Sequence, residues 1–437
     1  MSAVIYPTTN LTATEQLNIA RGEGIYVYDQ QGKRYLEGMA GLWCTGLGYG
    51  NRELIDAISG ALETLSFSHT FGGKTHQPVI DLADKLAAMV PTPDAKVFFG
   101  NSGSDANDTH IKLLHYYFDI IGKPEKRKII TRERAYHGVT VAAGALTSLP
   151  ANLAHFDAPL EALGILRTDH PHYYRGALPG ESEAEFVERI TGNLERLIVA
   201  EGPETIAAFI AEPITGASGV IVPPAGYYEK VQAILKRYDI LFWADEVITG
   251  FGRTGHLFGC DTMNIQQPDM MTFAKQLSSA YYPISASIIR GDLYEPMVEA
   301  SAQVGVFGHG YTYSGHPVAC AAALKTLEIY EREGIYQHAA ETGAYLQQRL
   351  AEFADIEAVG EVRGAGLIGA LELVEDRASK APAADLAKRT AQACQDNGLI
   401  VRNVAGNALA LCPPLVITRD QVDEMIGTLR ASLEQSL

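Results

Sequence analysis

The chain has 437 residues, a formal charge of −17, 47% apolar and 20% charged residues, and 42 glycines. At roughly 100–200 residues per domain this suits two or three domains with a large buried core. The acidic balance lacks the clustered Lys and Arg that nucleic acid or an anionic membrane surface requires, so neither is expected as a partner.

Cys44, Cys260, Cys320, Cys394 and Cys412 are scattered, odd in number and free of C-x-x-C spacing. A disulfide framework or zinc site is not expected, and a reducing, cytoplasmic setting is the simpler reading. Met1–Asn10 lacks the basic-then-apolar pattern of a signal peptide. No apolar run approaches the roughly 18 residues of a membrane span.

In chain order, Gly24–Leu36 reads as a hairpin around Asp29-Gln30-Gln31-Gly32. Lys96–Phe99 reads as a strand and Ser104–Phe118 as a helix. Further strands are expected at Arg127–Ile130, Ile206–Ile214, Ile240–Val247, Asp269–Lys275 and Ile284–Arg290. Strands alternating with helices predict a mainly parallel α/β sheet covered on both faces. Leu399–Val404 and Ala408–Leu411 flank Gly406-Asn407 as a second hairpin. Thr418-Arg419-Asp420-Gln421 has the form of a capping box, followed by the helical stripe Val422, Met425, Ile426, Leu429 and Leu433, read as core packing. The two chain ends (1–54 and 316–437) are expected to form a smaller α+β domain, and 55–315 the large α/β domain.

Three features fall at C-terminal ends of expected strands, where open α/β sheets place ligands. Gly100-Asn101-Ser102-Gly103-Ser104 joins a strand to a helix. Its small residues and free N–H groups suit a phosphate, although a tight turn with a Ser cap explains the same residues. The segment is neither G-x-G-x-x-G nor a P-loop, which weighs against a dinucleotide or a nucleoside triphosphate. Asp245 closes the apolar run Ile240–Ala244. A buried carboxylate needs a partner, and a cationic ring nitrogen, a structural ion pair or a metal would each serve; no neighbouring His or carboxylate cluster supports the metal. Lys275 directly follows Met270–Ala274. It reads either as a lysine snorkelling to water or as an amine of lowered pKa fixed for imine formation. Phosphate cradle, carboxylate and lysine together match the phosphate, ring nitrogen and aldehyde of pyridoxal 5′-phosphate.

Ala244-Asp245-Glu246-Val247-Ile248-Thr249-Gly250-Phe251-Gly252-Arg253-Thr254-Gly255 and Ala274-Lys275-Gln276-Leu277-Ser278-Ser279 resemble the central signatures of the class III aminotransferases, the fold-type I pyridoxal-phosphate family. Gly41-Leu42-Trp43-Cys44, Ala135-Tyr136-His137-Gly138, Glu212-Pro213-Ile214, Tyr311–Pro317 and Cys412–Val416 resemble the ω-amino acid or amine:pyruvate branch, and the resemblance spans essentially the whole chain. It implies a large domain with a mainly parallel sheet of the seven-stranded type.

The same resemblance implies that Lys275 forms the Schiff base and later acts as proton-transfer base, and that Asp245 binds the ring nitrogen. It implies Val247 and Tyr136 on the two ring faces, with Ser102, Gly103 and Ser104 around the phosphate. His137 is implied as a hydrogen-bonded neighbour, and Glu212 as a group at the polar edge that places Asp245 or a water. It further implies a homodimer, or a tetramer of paired dimers, with Tyr311 and Thr312 contributed across the interface. Trp43, Phe71, Tyr136 and Ala217 are implied in the substrate pocket, and Arg402 as a mobile carboxylate partner for pyruvate.

The sequence departs from the family pattern at Gly72-Gly73, at Gln276 and Ala280 where glycines are usual, and at Asp105 where Glu is usual; none removes a catalytic group. The donor is not named by the sequence: β-alanine, taurine, putrescine, other diamines and arylalkyl amines are all compatible. An aminomutase, a decarboxylating relative, a 2-oxoglutarate-dependent enzyme, a non-catalytic relative and a nucleotide-dependent dehydrogenase are the competing readings.

Overall fold

The computed structural model describes residues 3–12 and 16–437, so Met1 and Ser2 of the N-terminal segment lie outside the described residues. Near the N-terminus, β1 (Ile19–Glu23), β2 (Tyr26–Asp29) and β3 (Arg34–Glu37) form an antiparallel meander. The expected hairpin is its second half. Its turn is held by Asp29, whose Oδ1 accepts the N–H groups of Gln31 and Lys33.

The central sheet contains β4 (Lys96–Gly100), β5 (Lys128–Arg132), β6 (Ile165–Thr168), β7 (Ile206–Ala211), β8 (Leu241–Asp245), β9 (Met270–Phe273) and β10 (Ser285–Ile289). Their spatial order is β4-β10-β9-β8-β7-β5-β6. From β9 to β6 every pairing is parallel, whereas β10 runs antiparallel to both of its neighbours. The mainly parallel seven-stranded sheet is therefore present. Every residue of β7, β8 and β9 is buried, as expected for strands covered on both faces. Strand β6 was not anticipated; Ile-Leu-Arg-Thr is too short and too mixed to stand out.

Four expected strands end earlier than read. Glu212-Pro213-Ile214 leaves the sheet after Ala211, Glu246-Val247 after Asp245, and Ala274-Lys275 after Phe273, while β10 ends at Ile289. At the first three of these ends the extra residues form the loops that carry side chains over the sheet edge.

In the C-terminal region, β11 (Val359–Ala365), β12 (Ile368–Asp376) and the short β13 (Ala381–Pro382) precede β14 (Leu399–Ile400), β15 (Arg402–Val404) and β16 (Ala408–Leu411). The expected strand Leu399–Val404 is split. Strand β14 pairs in parallel with β3, and after Val401 strand β15 turns into the sheet β11-β12-β16-β15. The hairpin survives as β15–β16, but its left-handed residues are Ala405 and Gly406 rather than Gly406 and Asn407. Thr418 caps the helix Arg419–Ser436 as anticipated, with Thr418 and Gln421 exchanging side chain-to-backbone bonds of 3.3 and 3.0 Å. Val422, Met425, Ile426, Leu429 and Leu433 are its buried face.

All five cysteines are free. Among the described residues no helix is long and apolar enough to cross a membrane.

Candidate active site

Strands β4, β5, β7, β8 and β9 share a direction, so their C-terminal ends lie on one edge of the central sheet. A cavity of about 350 Å³ opens there. Ser102, Gly103, Ser104, Tyr136, His137, Glu212, Asp245, Val247 and Lys275 all line it.

The helix Gly103–Ile120 begins at the cavity wall. Ser102 caps it: its Oγ accepts Asp105 N at 3.2 Å, while Asp105 Oδ1 accepts Ser102 N at 3.0 Å. Asp105 also accepts Asn101 N at 2.9 Å and Ser285 Oγ at 3.0 Å, so the shorter acid completes the box. Among the described residues the N–H groups of Gly103 and Ser104 have no acceptor. Two free amides at a helix N-terminus form an anion site.

Asp245 is 4% exposed at the end of β8. Its Oδ2 accepts His137 Nδ1 at 2.8 Å and Asn107 Nδ2 at 3.0 Å. Among the described residues its Oδ1 accepts only the N–H of Val247, at 3.2 Å. An Asp oxygen at the cavity wall thus keeps acceptor capacity for an incoming N–H.

Lys275 follows β9 on a short 3₁₀ turn, with φ of 44°. Among the described residues its Nζ has neither an ion pair nor a hydrogen bond, and burial lowers its pKa against the opposing pull of Asp245 and Glu212. Ser279 and Ala280 also hold left-handed φ values, 49° and 61°. The departure Gln276 is accommodated: its amide donates to Gly250 O at 2.9 Å and its oxygen accepts Arg253 Nη2 at 3.2 Å.

Among the described residues Glu212 makes no direct hydrogen bond to Asp245, although the two carboxylates interact electrostatically. Its Oε1 accepts Tyr136 N at 3.0 Å and its Oε2 accepts Gly216 N at 3.0 Å, because its loop turns back over β7 toward these two backbone segments. Burial raises its pKa, offset in part by His137 and by these two amides.

Of the implied substrate residues, Tyr136 lines this cavity, whereas Trp43, Phe71, Ala217 and Arg402 do not; nor does Thr312, implied at the cofactor phosphate of the neighbouring subunit. Arg402 and Trp43 do meet each other, with the guanidinium 5.0 Å from the ring centroid, and Arg402 also interacts electrostatically with Tyr136. Phe71 is 45% exposed, and Thr312 is exposed as well. The Tyr311 hydroxyl donates to Asp105 O of its own chain at 2.9 Å, docking the segment on the helix start.

Asn107, which bonds Asp245, carries no motif in the sequence. It lies on the buried stripe Asn107, His110, Ile111, Leu114 and Phe118 of its helix. Two polar residues on an otherwise apolar stripe were the available signal.

The family model for class III aminotransferases matches residues 9–433. The chain belongs to the class III aminotransferases. It is 46% identical over 429 residues to gamma aminobutyrate transaminase 1, mitochondrial, of Solanum lycopersicum, covering 97% of this chain and 82% of that one. The corresponding protein of Oryza sativa subsp. japonica is 47% identical over 420 residues, 95% of this chain and 81% of that one. Among solved structures, an omega transaminase from Pseudomonas jessenii in complex with PMP superposes with a TM-score of 0.97 at 49% identity, covering 99% of this chain and 96% of that one. A transaminase solved with L-Ala matches with a TM-score of 0.94 at 51% identity, covering 96% of this chain and 99% of that one.

This aminotransferase is therefore a pyridoxal 5′-phosphate enzyme of fold type I. The cavity of this aminotransferase fits that cofactor on its own chemistry. Two unpaired amides suit its phosphate, Asp245 Oδ1 has room for a ring N–H, and the unpaired Lys275 amine suits its aldehyde.

Proposed function

We propose that the protein is an ω-transaminase that moves an amino group from an amine or ω-amino acid to pyruvate in two half-reactions. The observation that carries this reading is the unpaired, largely buried Lys275 amine in the same cavity as the free amides of Gly103 and Ser104 and the open side of Asp245.

The bound cofactor supplies an aldehyde that takes up the amino group and a cationic ring that withdraws electrons from the reacting carbon. In this reading Asp245 accepts the ring N–H, and the amides of Gly103 and Ser104 hold the phosphate. Val247 and Tyr136 bound the ring faces, with His137 fixed behind Asp245. Lys275 Nζ would anchor the cofactor and, once the donor amine had displaced it, would take the proton from the donor's reacting carbon and deliver it to the cofactor's aldehyde carbon. Its lowered pKa keeps more of the amine unprotonated near neutral pH, as a general base requires.

Arg402, against Trp43 and close to Tyr136, is the proposed partner of the pyruvate carboxylate. Trp43, Phe71 and Ala217 belong to the outer substrate pocket. We place the large domain at 55–315 and the small one at 1–54 with 316–437. The site is completed in a homodimer, single or paired, by the partner's copy of the exposed Thr312 segment. Five free cysteines suit a reducing, cytoplasmic compartment. The similarity to a transaminase solved with L-Ala supports pyruvate as acceptor, since alanine is its amination product. The similarity to γ-aminobutyrate transaminases adds that ω-amino acid to β-alanine, taurine and putrescine as donor candidates.

A donor panel with pyruvate, read by alanine formation and repeated with 2-oxoglutarate, tests the reading. Alanine formed from ω-amino donors is the expected result. Turnover with 2-oxoglutarate alone would overturn the acceptor, and no amino transfer to either acid would overturn the function.

A further inference from the structure

Behind Asp245 runs a chain of buried hydrogen bonds whose direction is set by a donor at one end and acceptors at the other. Trp243 Nε1, which can only donate, lies 2.8 Å from Thr272 Oγ1. The Thr272 hydroxyl, having accepted that bond, donates to Asn107 Oδ1 at 2.8 Å. The other end of the Asn107 amide faces two groups that only accept, Asp245 Oδ2 at 3.0 Å and His137 O at 2.6 Å, so that end is the nitrogen and the oxygen faces the Thr272 hydroxyl. Asn107 and Thr272 are both fully buried, so no water competes for these groups. Neither residue lines the cavity.

We propose that Asn107, oriented by Thr272, is a positioning residue that saturates Asp245 Oδ2 and so presents Oδ1 to the ring nitrogen of the cofactor. The inference rests on Asp245 being that nitrogen's partner. Oδ2 receives two side-chain donors, His137 Nδ1 and Asn107 Nδ2, whereas Oδ1 receives one backbone N–H. The carboxylate is thereby gripped on one oxygen from two directions, and its plane cannot rotate without breaking a buried bond. His137 holds the same oxygen from β5's side of the sheet edge. Without Asn107 the carboxylate would pivot about the His137 bond. Thr272 acts one step further out, by preventing the Asn107 amide from turning its oxygen toward Asp245.

The test uses the holoenzyme of Asn107→Ala, Thr272→Val, Thr272→Ser and Asp245→Asn beside the parent. Two quantities are read: the rate of cofactor release on dilution, and the ¹⁵N chemical shift of ring-labelled cofactor, which reports ring protonation. Thr272→Val, which keeps the shape and loses the hydroxyl, is expected to speed release roughly three- to tenfold, as for loss of one neutral hydrogen bond. Asn107→Ala is expected to speed release roughly 10- to 100-fold, as for loss of a bond to a charged group. Both are expected to move the ring ¹⁵N shift toward the unprotonated value, and Thr272→Ser to restore both readings. A lowered melting temperature in Thr272→Val with unchanged release and ¹⁵N shift would overturn the proposal in favour of a packing role. If Asp245→Asn moves both readings and the other variants move neither, the proposal alone falls. If Asp245→Asn moves neither, the assignment of Asp245 falls with it.

Discussion

The Arg402 guanidinium lies 5.0 Å from the centroid of the Trp43 ring, joining a residue of β15 to one just after β3. The stack rests on a common support. Gly38 N donates to Ile400 O at 3.0 Å and Cys412 N donates to Gly38 O at 2.7 Å, so the backbone leading into each partner is tied at one point. Burial lowers the pKa of Arg402 but leaves it a cation, weakly hydrated and ready for a carboxylate. Arg402→Leu is expected to raise the KM for pyruvate roughly 10- to 100-fold, from loss of a charged hydrogen-bonded pair. The half-reaction with an uncharged amine donor is expected to stay near the parental rate. Single-turnover measurement of each half-reaction separately checks this.

Glu37 precedes the same support and is 6% exposed. Its Oε1 accepts Met39 N at 3.1 Å, ahead of left-handed φ values at Ala40, Gly41 and Trp43. Burial pushes its carboxyl up to about 7 from an ordinary 4.5, against the opposing amides of Met39 and Gly41. The folded state thus holds this proton more tightly than the unfolded chain does. Its contribution to stability is complete below the ordinary value and is lost as pH rises through about 7. Gln keeps the acceptor oxygen and cannot ionise. Glu37→Gln is expected to match the parent at pH 4.5 and to exceed it by an amount on the order of 3 kcal/mol at pH 8. Denaturant melts across that range provide the check.

Ala280 carries a φ of 61° on the loop after Lys275, a conformation that costs a residue with a Cβ roughly 1–2 kcal/mol. Ala280→Gly is expected to recover about 1 kcal/mol of stability, less the extra entropy of glycine in the unfolded chain. A melting-temperature rise in the holoenzyme would match this. A fall would mean that the Ala280 methyl, at the cavity lining, makes contacts worth more than the strain.

Asp245→Asn removes the negative charge facing the ring nitrogen while keeping the shape. A loss of kcat on the order of 10²-fold or more is expected, the scale seen when one transition-state electrostatic partner is removed. Steady-state kinetics at saturating cofactor separate this from weaker cofactor binding.

The parts of the site that sequence made legible are those in which one residue does one job at a strand end. Asp245 follows an unbroken apolar run and Lys275 a run interrupted only by Thr272, and such charges stand out because burying them unpaired is costly. The Ser cap at the start of the following helix was readable from the local turn residues, and the structure adds Asp105 as its reciprocal partner. The parallel sheet was legible for the same reason, since β7 and β8 are buried along their whole length. What escaped depends on contacts between distant segments. Strand β14 joins β3 and leaves β15 to another sheet, a choice made by tertiary pairing rather than by Leu399–Val404 itself. Glu212 bonds Tyr136 N and Gly216 N, which no periodicity encodes. Asn107 reaches Asp245 across 138 positions of chain.

Lys275 is proposed as the lysine that binds the cofactor. Borohydride reduction of the holoenzyme, followed by proteolysis and mass mapping, tests it most directly. A phosphopyridoxyl group is expected on the peptide carrying Lys275, and none in Lys275→Ala, which should also lose transamination. A label on any other lysine, or an unmodified Lys275 in an active, reduced enzyme, would contradict it.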